Sequence, residues 1–101
     1  MIVRLTYLSF TPENLVQAKG IYHEEVIPTV RKQKGNIDCK LLTPLNENDE
    51  YISMTIWETK ADADAYESSG LYRELVNKVK KDFNKPPVLK VYMSESILEH
   101  A

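Results

Sequence analysis

Strand-type runs bracket each helical run in this sequence, and that alternation restricts the folds open to it. Residues 2–10, IVRLTYLSF, are dominated by β-branched and aromatic side chains and predict a strand. Thr11-Pro12-Glu13 then supplies a cap, a proline suited to the first helical turn and an acid for the positive end of the helix dipole. Leu15, Ala18, Tyr22, Val26 and Val30 recur every three or four residues and mark one buried helical face. Pro28 falls inside that helix and must kink it or split off its last turn. Gly35, after the basic stretch from Arg31 to Lys34, closes it.

NIDCKLLT and YISMTIWE predict a second and a third strand joined by the polar turn PLNENDE. Thr59-Lys60-Ala61-Asp62 has the form of a capping box and opens a short helix to about Ser68, broken by Ser69-Gly70. Leu71, Leu75, Val79 and Phe83 mark the buried face of a further helix. Pro86-Pro87 forces an extended exit into the last strand, VLKVYMSES, and the tail ILEHA has no clear pattern.

The order is β-α-β-β-α-β with the second helix broken. It predicts an α+β, ferredoxin-like fold: four antiparallel strands with helices on one face. Helices cover one face only. The other carries large side chains, because Ile52, Met54 and Ile56 alternate with Tyr51, Ser53, Thr55 and Trp57. An apolar face of that size predicts a homodimer in which two sheets meet. The 101 residues suit one domain, 1–101, with about 98–101 as a flexible tail.

Composition narrows the function classes. A net charge of −2 with interspersed signs gives no basic field for nucleic acid or an acidic membrane. The basic clusters at Arg31, Lys32 and Lys34 and at Lys78, Lys80 and Lys81 sit at helix ends, where cations suit the dipole. No apolar run is long enough to span a bilayer. The start MIVRLTYLSF lacks the form of a signal peptide, and one cysteine cannot form an internal disulfide, so a cytoplasmic location is expected. His23-Glu24-Glu25 diverge around a helix and have no second histidine one turn away, so no metal site is expected. Cys39 lies in a strand without a base nearby in sequence and reads as a buried structural thiol.

Two stretches, PTVRKQKG (28–35) and ISMTIWETKADADAYESSGLYREL (52–75), make the chain resemble the antibiotic biosynthesis monooxygenase (ABM) family of the dimeric α/β-barrel superfamily. The resemblance implies ferredoxin-like subunits paired into a barrel, each with a pocket between sheet and helices. It also implies cofactor-free oxygenation of flat aromatics or oxidation of quinols. Trp57 matches the family's strand-end tryptophan. Tyr66 stands where many members carry a histidine, and Leu71 or Tyr72 where a second one opens the next helix. Haem-degrading members resemble the same block, but Val76 stands near their iron-ligating histidine and Thr6 near their strand-one asparagine, which argues against that activity.

Oxygenation without a cofactor needs help in removing a phenol proton, donors for the anion and an apolar enclosure. The expected catalytic residues are Trp57, Tyr66 and His23, the last because an unperturbed imidazole titrates near neutrality. Tyr72, Tyr7, Thr6 and Arg73 are the expected substrate-binding residues, with a small aromatic molecule as ligand and no cofactor. A non-catalytic binding or dimerisation module of the same fold is the alternative. A lactone isomerase using His23 with Glu24 or Glu67 is a lesser one.

Overall fold

The computed structural model describes residues 1–95. Strand β1 (Ile2–Leu8) leads through a short 3-10 turn, Pro12–Asn14, into helix α1 (Leu15–Ile21). A π-helical segment, Tyr22–Val26, follows, and helix α2 (Ile27–Arg31) completes the rod. Strands β2 (Asn36–Leu42) and β3 (Tyr51–Trp57) precede helices α3 (Lys60–Ser68) and α4 (Leu71–Val79). A 3-10 turn, Lys80–Asp82, and strand β4 (Val88–Met93) end the described chain. The four strands form one antiparallel sheet in the order β2-β3-β1-β4. The expected α+β, ferredoxin-like architecture is therefore present. The expected tail at 98–101 lies outside the described residues.

Local chemistry explains the boundaries. Thr59 caps α3 by accepting the Asp62 backbone N–H at 3.1 Å. Gly35 has φ +79°, and a Cβ there would overlap the Asp62 carboxylate, so only glycine fits the reversal into β2. Its carbonyl accepts the Glu58 N–H at 2.8 Å, which ties the end of the first helical rod to the end of β3.

The proline problem is solved one turn early. In a regular α-helix a residue at position 28 would donate to the Glu24 carbonyl, and proline cannot. The chain instead widens over Tyr22–Val26, where the Ile27 N–H reaches back five residues to the Tyr22 carbonyl. Thr29 donates its hydroxyl to the Glu25 carbonyl at 2.6 Å, which satisfies one acceptor in this turn. The widening also keeps the apolar face in line. Ala18, Tyr22, Val26 and Val30 are all buried. A four-residue step overshoots an α-helical turn by about 40°, and a wider turn takes up that drift.

The core lies between this rod, α3, α4 and one face of the sheet. Tyr22, Val26, Ile27, Val30, Cys39, Trp57, Ala63, Tyr66 and Leu75 pack there with Ile2. The strand register puts Ile2 opposite Trp57, Arg4 opposite Thr55 and Thr6 opposite Ser53 on this helix-facing side. Val3, Leu5 and Tyr7, with Ile56, Met54 and Ile52 opposite them, point to the uncovered side.

Candidate active site

An aromatic chain runs from the end of β3 to the start of α4. Trp57 is fully buried, and its indole N–H donates to the Thr55 hydroxyl at 2.9 Å. The Tyr66 ring stacks on it with centroids 5.0 Å apart, and Tyr72 meets Tyr66 edge-on at 5.9 Å. Helix spacing places these tyrosines together: Tyr66 is in the second turn of α3 and Tyr72 in the first turn of α4, with the left-handed Gly70 (φ +89°) between them.

Beyond Tyr66 lies a cleft between sheet and helices. Thr6, Tyr22, Ser53, Tyr66 and Tyr72 supply its polar atoms, and Leu8, Val26, Leu75, Val76, Val79 and Phe83 its apolar wall. It holds about 60 Å³ of free space, room for a few water molecules. At its floor the Tyr22 hydroxyl hydrogen-bonds the Ser53 hydroxyl and also approaches the Cys39 sulfur at 3.9 Å. Both cleft-lining elements of the π segment, Tyr22 and Val26, owe their alignment to it; such segments recur at functional sites.

The electrostatics favour neutral donors. Burial raises the Tyr22 phenol well above its ordinary range, reinforced by nearby Cys39. Burial likewise raises Tyr66 and Tyr72, against the opposing effect of the Arg4 charge. Burial pushes the Cys39 thiol up to about 11, so it stays protonated at neutral pH and is a poor nucleophile. Among the described residues, neither histidine nor carboxylate lines the cleft, and no group of three His, Cys, Asp or Glu is placed to hold a metal.

The expected site residues separate into three places. Tyr66, Tyr72 and Thr6 share the cleft. Trp57 stands behind Tyr66 rather than on the cleft wall, with its N–H already engaged, so it supports the site and does not touch its contents. Tyr7 points to the opposite side of the sheet, into a groove with Leu42, Pro44 and Ile52, and Lys90 sits 5.2 Å from its ring centroid. His23 is exposed on the π segment; its neighbour Tyr22 takes the inward position. Arg73 is exposed and, with Glu67, Tyr72 and Val76, lines a second groove of about 230 Å³.

Three participants escaped the sequence reading. Tyr22 was legible only as a core position, although a tyrosine among aliphatic residues on a buried face signals a hydroxyl needing a partner. Ser53 pairs with it from the helix-facing row of β3. Arg4 is buried in the middle of β1, where its guanidinium donates to Glu67 Oε1 at 3.0 Å. The signal for Arg4 was its position: it alternates with Ile2, Thr6 and Leu8 on one strand face.

The comparisons with known proteins agree with this fold. The sequence profile of the antibiotic biosynthesis monooxygenase family matches residues 1–78, and the chain belongs to that family. No curated protein matches it. Among solved structures, a Nitrosomonas europaea protein of the same family description is 17% identical with a TM-score of 0.81, covering 93% of this chain and 98% of that one. A Deinococcus radiodurans protein of that description is 10% identical with a TM-score of 0.84, covering 97% and 96%. SnoaB from Streptomyces nogalater, a cofactor-independent oxygenase, is 7% identical with a TM-score of 0.78, covering 96% and 95%. These likenesses establish the fold.

Proposed function

We propose that the protein is a cofactor-independent oxygenase or quinol oxidase acting on a flat aromatic held in the Tyr22–Ser53–Tyr66–Tyr72 cleft. One observation carries the reading: a cluster of hydroxyl donors inside an apolar wall, backed by stacked aromatics. Such a cleft suits a ring whose oxygen becomes negatively charged as its proton leaves, before an electron passes to dioxygen. Two balanced outcomes are open to it. A quinol gives two electrons and two protons to dioxygen, forming quinone and hydrogen peroxide. An anthrone methylene becomes a carbonyl, with the second oxygen atom leaving as water.

In this reading Tyr66 and Tyr72 donate to the substrate oxygen, Thr6 borders it, and Trp57 holds the Tyr66 ring in place. His23, on the outer side of its helix, takes no part. Substrate larger than the free space enters by moving the half-buried Tyr72 ring toward the adjoining groove. The homodimer belongs to the same proposal. Val3, Leu5, Ile52, Met54 and Ile56 form an apolar sheet face that none of the described helices covers, and a second sheet would close it. Sedimentation is expected to give a dimer at micromolar concentration; a stable monomer there would remove that part.

Oxygen uptake tests the activity. Reduced quinols and anthrones under air, with chelator and matched autoxidation blanks, are expected to give uptake above blank that falls at least tenfold in Tyr66→Phe and Tyr22→Phe. That no histidine or carboxylate among the described residues lines the cleft favours a second reading, a module that binds a small apolar ligand. Ligand binding with no uptake across the panel would select it.

A further inference from the structure

Arg4 is 5% exposed, in the centre of the sheet, on the side that faces the helices. A guanidinium has five N–H donors. Among the described residues, its side chain makes one hydrogen bond, to Glu67 Oε1, and that carboxylate is 48% exposed. Removing a guanidinium from water is costly, and one carboxylate half in solvent together with the face of the Tyr72 ring offsets this only in part. An apolar side chain would pack the position better. A local rule broken in this way marks a place shaped by function rather than by folding.

What lies in front of Arg4 indicates that function. The guanidinium carbon sits 5.3 Å from the Tyr72 ring centroid. Tyr72 and Val76 line both the hydroxyl-rich cleft and the groove beside Glu67, so the Tyr72 ring is the wall between them. Arg4 lines neither space with the ring in place; displacing the ring that its guanidinium faces would join the two beside it. The same charge already acts on the Tyr66 and Tyr72 phenols, opposing the effect of their burial. A bound phenol next to them would feel it as well. Among the described residues that line the cleft there is neither histidine nor carboxylate to accept a proton leaving the ligand.

We propose that Arg4 is a ligand-binding residue that recognises an anionic oxygen, so that the site selects acidic phenols and enols and holds them as their conjugate bases. Glu67 is the exchangeable counterion that the ligand oxygen displaces from the guanidinium. The only bond broken is the ligand O–H, and its proton goes to solvent. This deepens the oxygenase reading and rests on it for the choice of aromatic ligands: a phenol or enol gives up an electron far more readily as its anion than in its neutral form.

The test uses 4-nitrophenol, whose phenolate is coloured, titrated with pH in the presence of saturating full-length protein. The wild type is expected to lower the apparent pKa of bound probe by a unit or more, a tenfold preference for phenolate. Arg4→Met is expected to abolish that shift, and Glu67→Gln to enlarge it by removing the competing carboxylate. Probe that fails to bind, or binds with its free pKa, overturns the proposal, as does a shift that survives in Arg4→Met. If Arg4→Met does not fold, the Glu67→Gln variant decides alone, because a shift that is unchanged or smaller there is incompatible with a displaced counterion. Oxygen uptake separates the two readings. Quinol or anthrone oxidation undiminished in Arg4→Met overturns the Arg4 site and leaves the oxygenase. Phenolate binding without any uptake does the reverse.

Discussion

The helix-facing side of the sheet has two ends built on opposite plans. At the β2–β3 end, Trp57 and Cys39 are fully buried under Val30, Ala63 and Tyr66. At the β4 end, Val91 and Met93 occupy the same side of the same sheet, opposite Arg4 and Ile2, yet are 54% and 71% exposed. The helices cover the first end and stop short of the second. The cleft and the Arg4 charge lie between them. A ligand site needs walls held in fixed geometry and a side through which something enters, and this sheet provides one at each end.

The comparison can be broken at its closed end first. Trp57→Ala removes the largest fully buried side chain and the platform under Tyr66, and is expected to cost about 3–5 kcal/mol, read as a lowered denaturant midpoint. A loss below about 1 kcal/mol would mean that this end is not the anchor.

Alkaline pH attacks the same end more gently. The Cys39 thiol has its folded pKa raised from 9.0 to about 11 by burial. Below pH 9 it is protonated in both folded and unfolded chains, and its stabilising effect is fully present. Between about 9 and 11 the unfolded chain loses the proton first, so stability falls as pH rises. That share is on the order of 2–3 kcal/mol. Cys39→Ala is expected to flatten the decline of melting temperature over this window, while the raised Tyr22 phenol keeps a further decline at higher pH.

Gly35 sharpens the comparison from the side of the backbone. Gly35→Ala places a Cβ in a left-handed conformation against Asp62 and is expected to cost about 2 kcal/mol. The smallest effect belongs to the open end. Val91→Ser is expected to change the stability of the isolated subunit by no more than about 0.5 kcal/mol. A larger loss that depends on protein concentration would show that a second subunit covers β4.

Much of this was legible in the sequence because the signals were local. Thr59 and Asp62, Gly35, and the alternating strand residues each state their backbone preference within a few positions, and the element order followed. The site was harder. Thr6 and Tyr7 were both expected at the cleft, but neighbours on a strand point to opposite faces, so only one can be there. Tyr22 and His23 stand in the same relation on a helix, about 100° apart, and the buried face already belonged to Tyr22. Arg4 needed a longer-range fact: its carboxylate partner, Glu67, is 63 residues away along the chain. Trp57 was located correctly as a landmark, yet the distance between supporting a site and lining it is one side chain thick.

The widened turn at Tyr22–Val26 makes the cleft sensitive to counting as well as to chemistry. Between Ala18 and Val30 the rod carries more residues than regular α-helical winding would place on one face. Regular α-helical winding of the eight residues that follow Tyr22, up to Val30, would leave Tyr22 about 80° around the axis from Val30, away from Ser53. The hydroxyl at the floor of the cleft thus owes its aim to the winding ahead of Pro28, in a turn whose added width is filled by the exposed His23, Glu24 and Glu25.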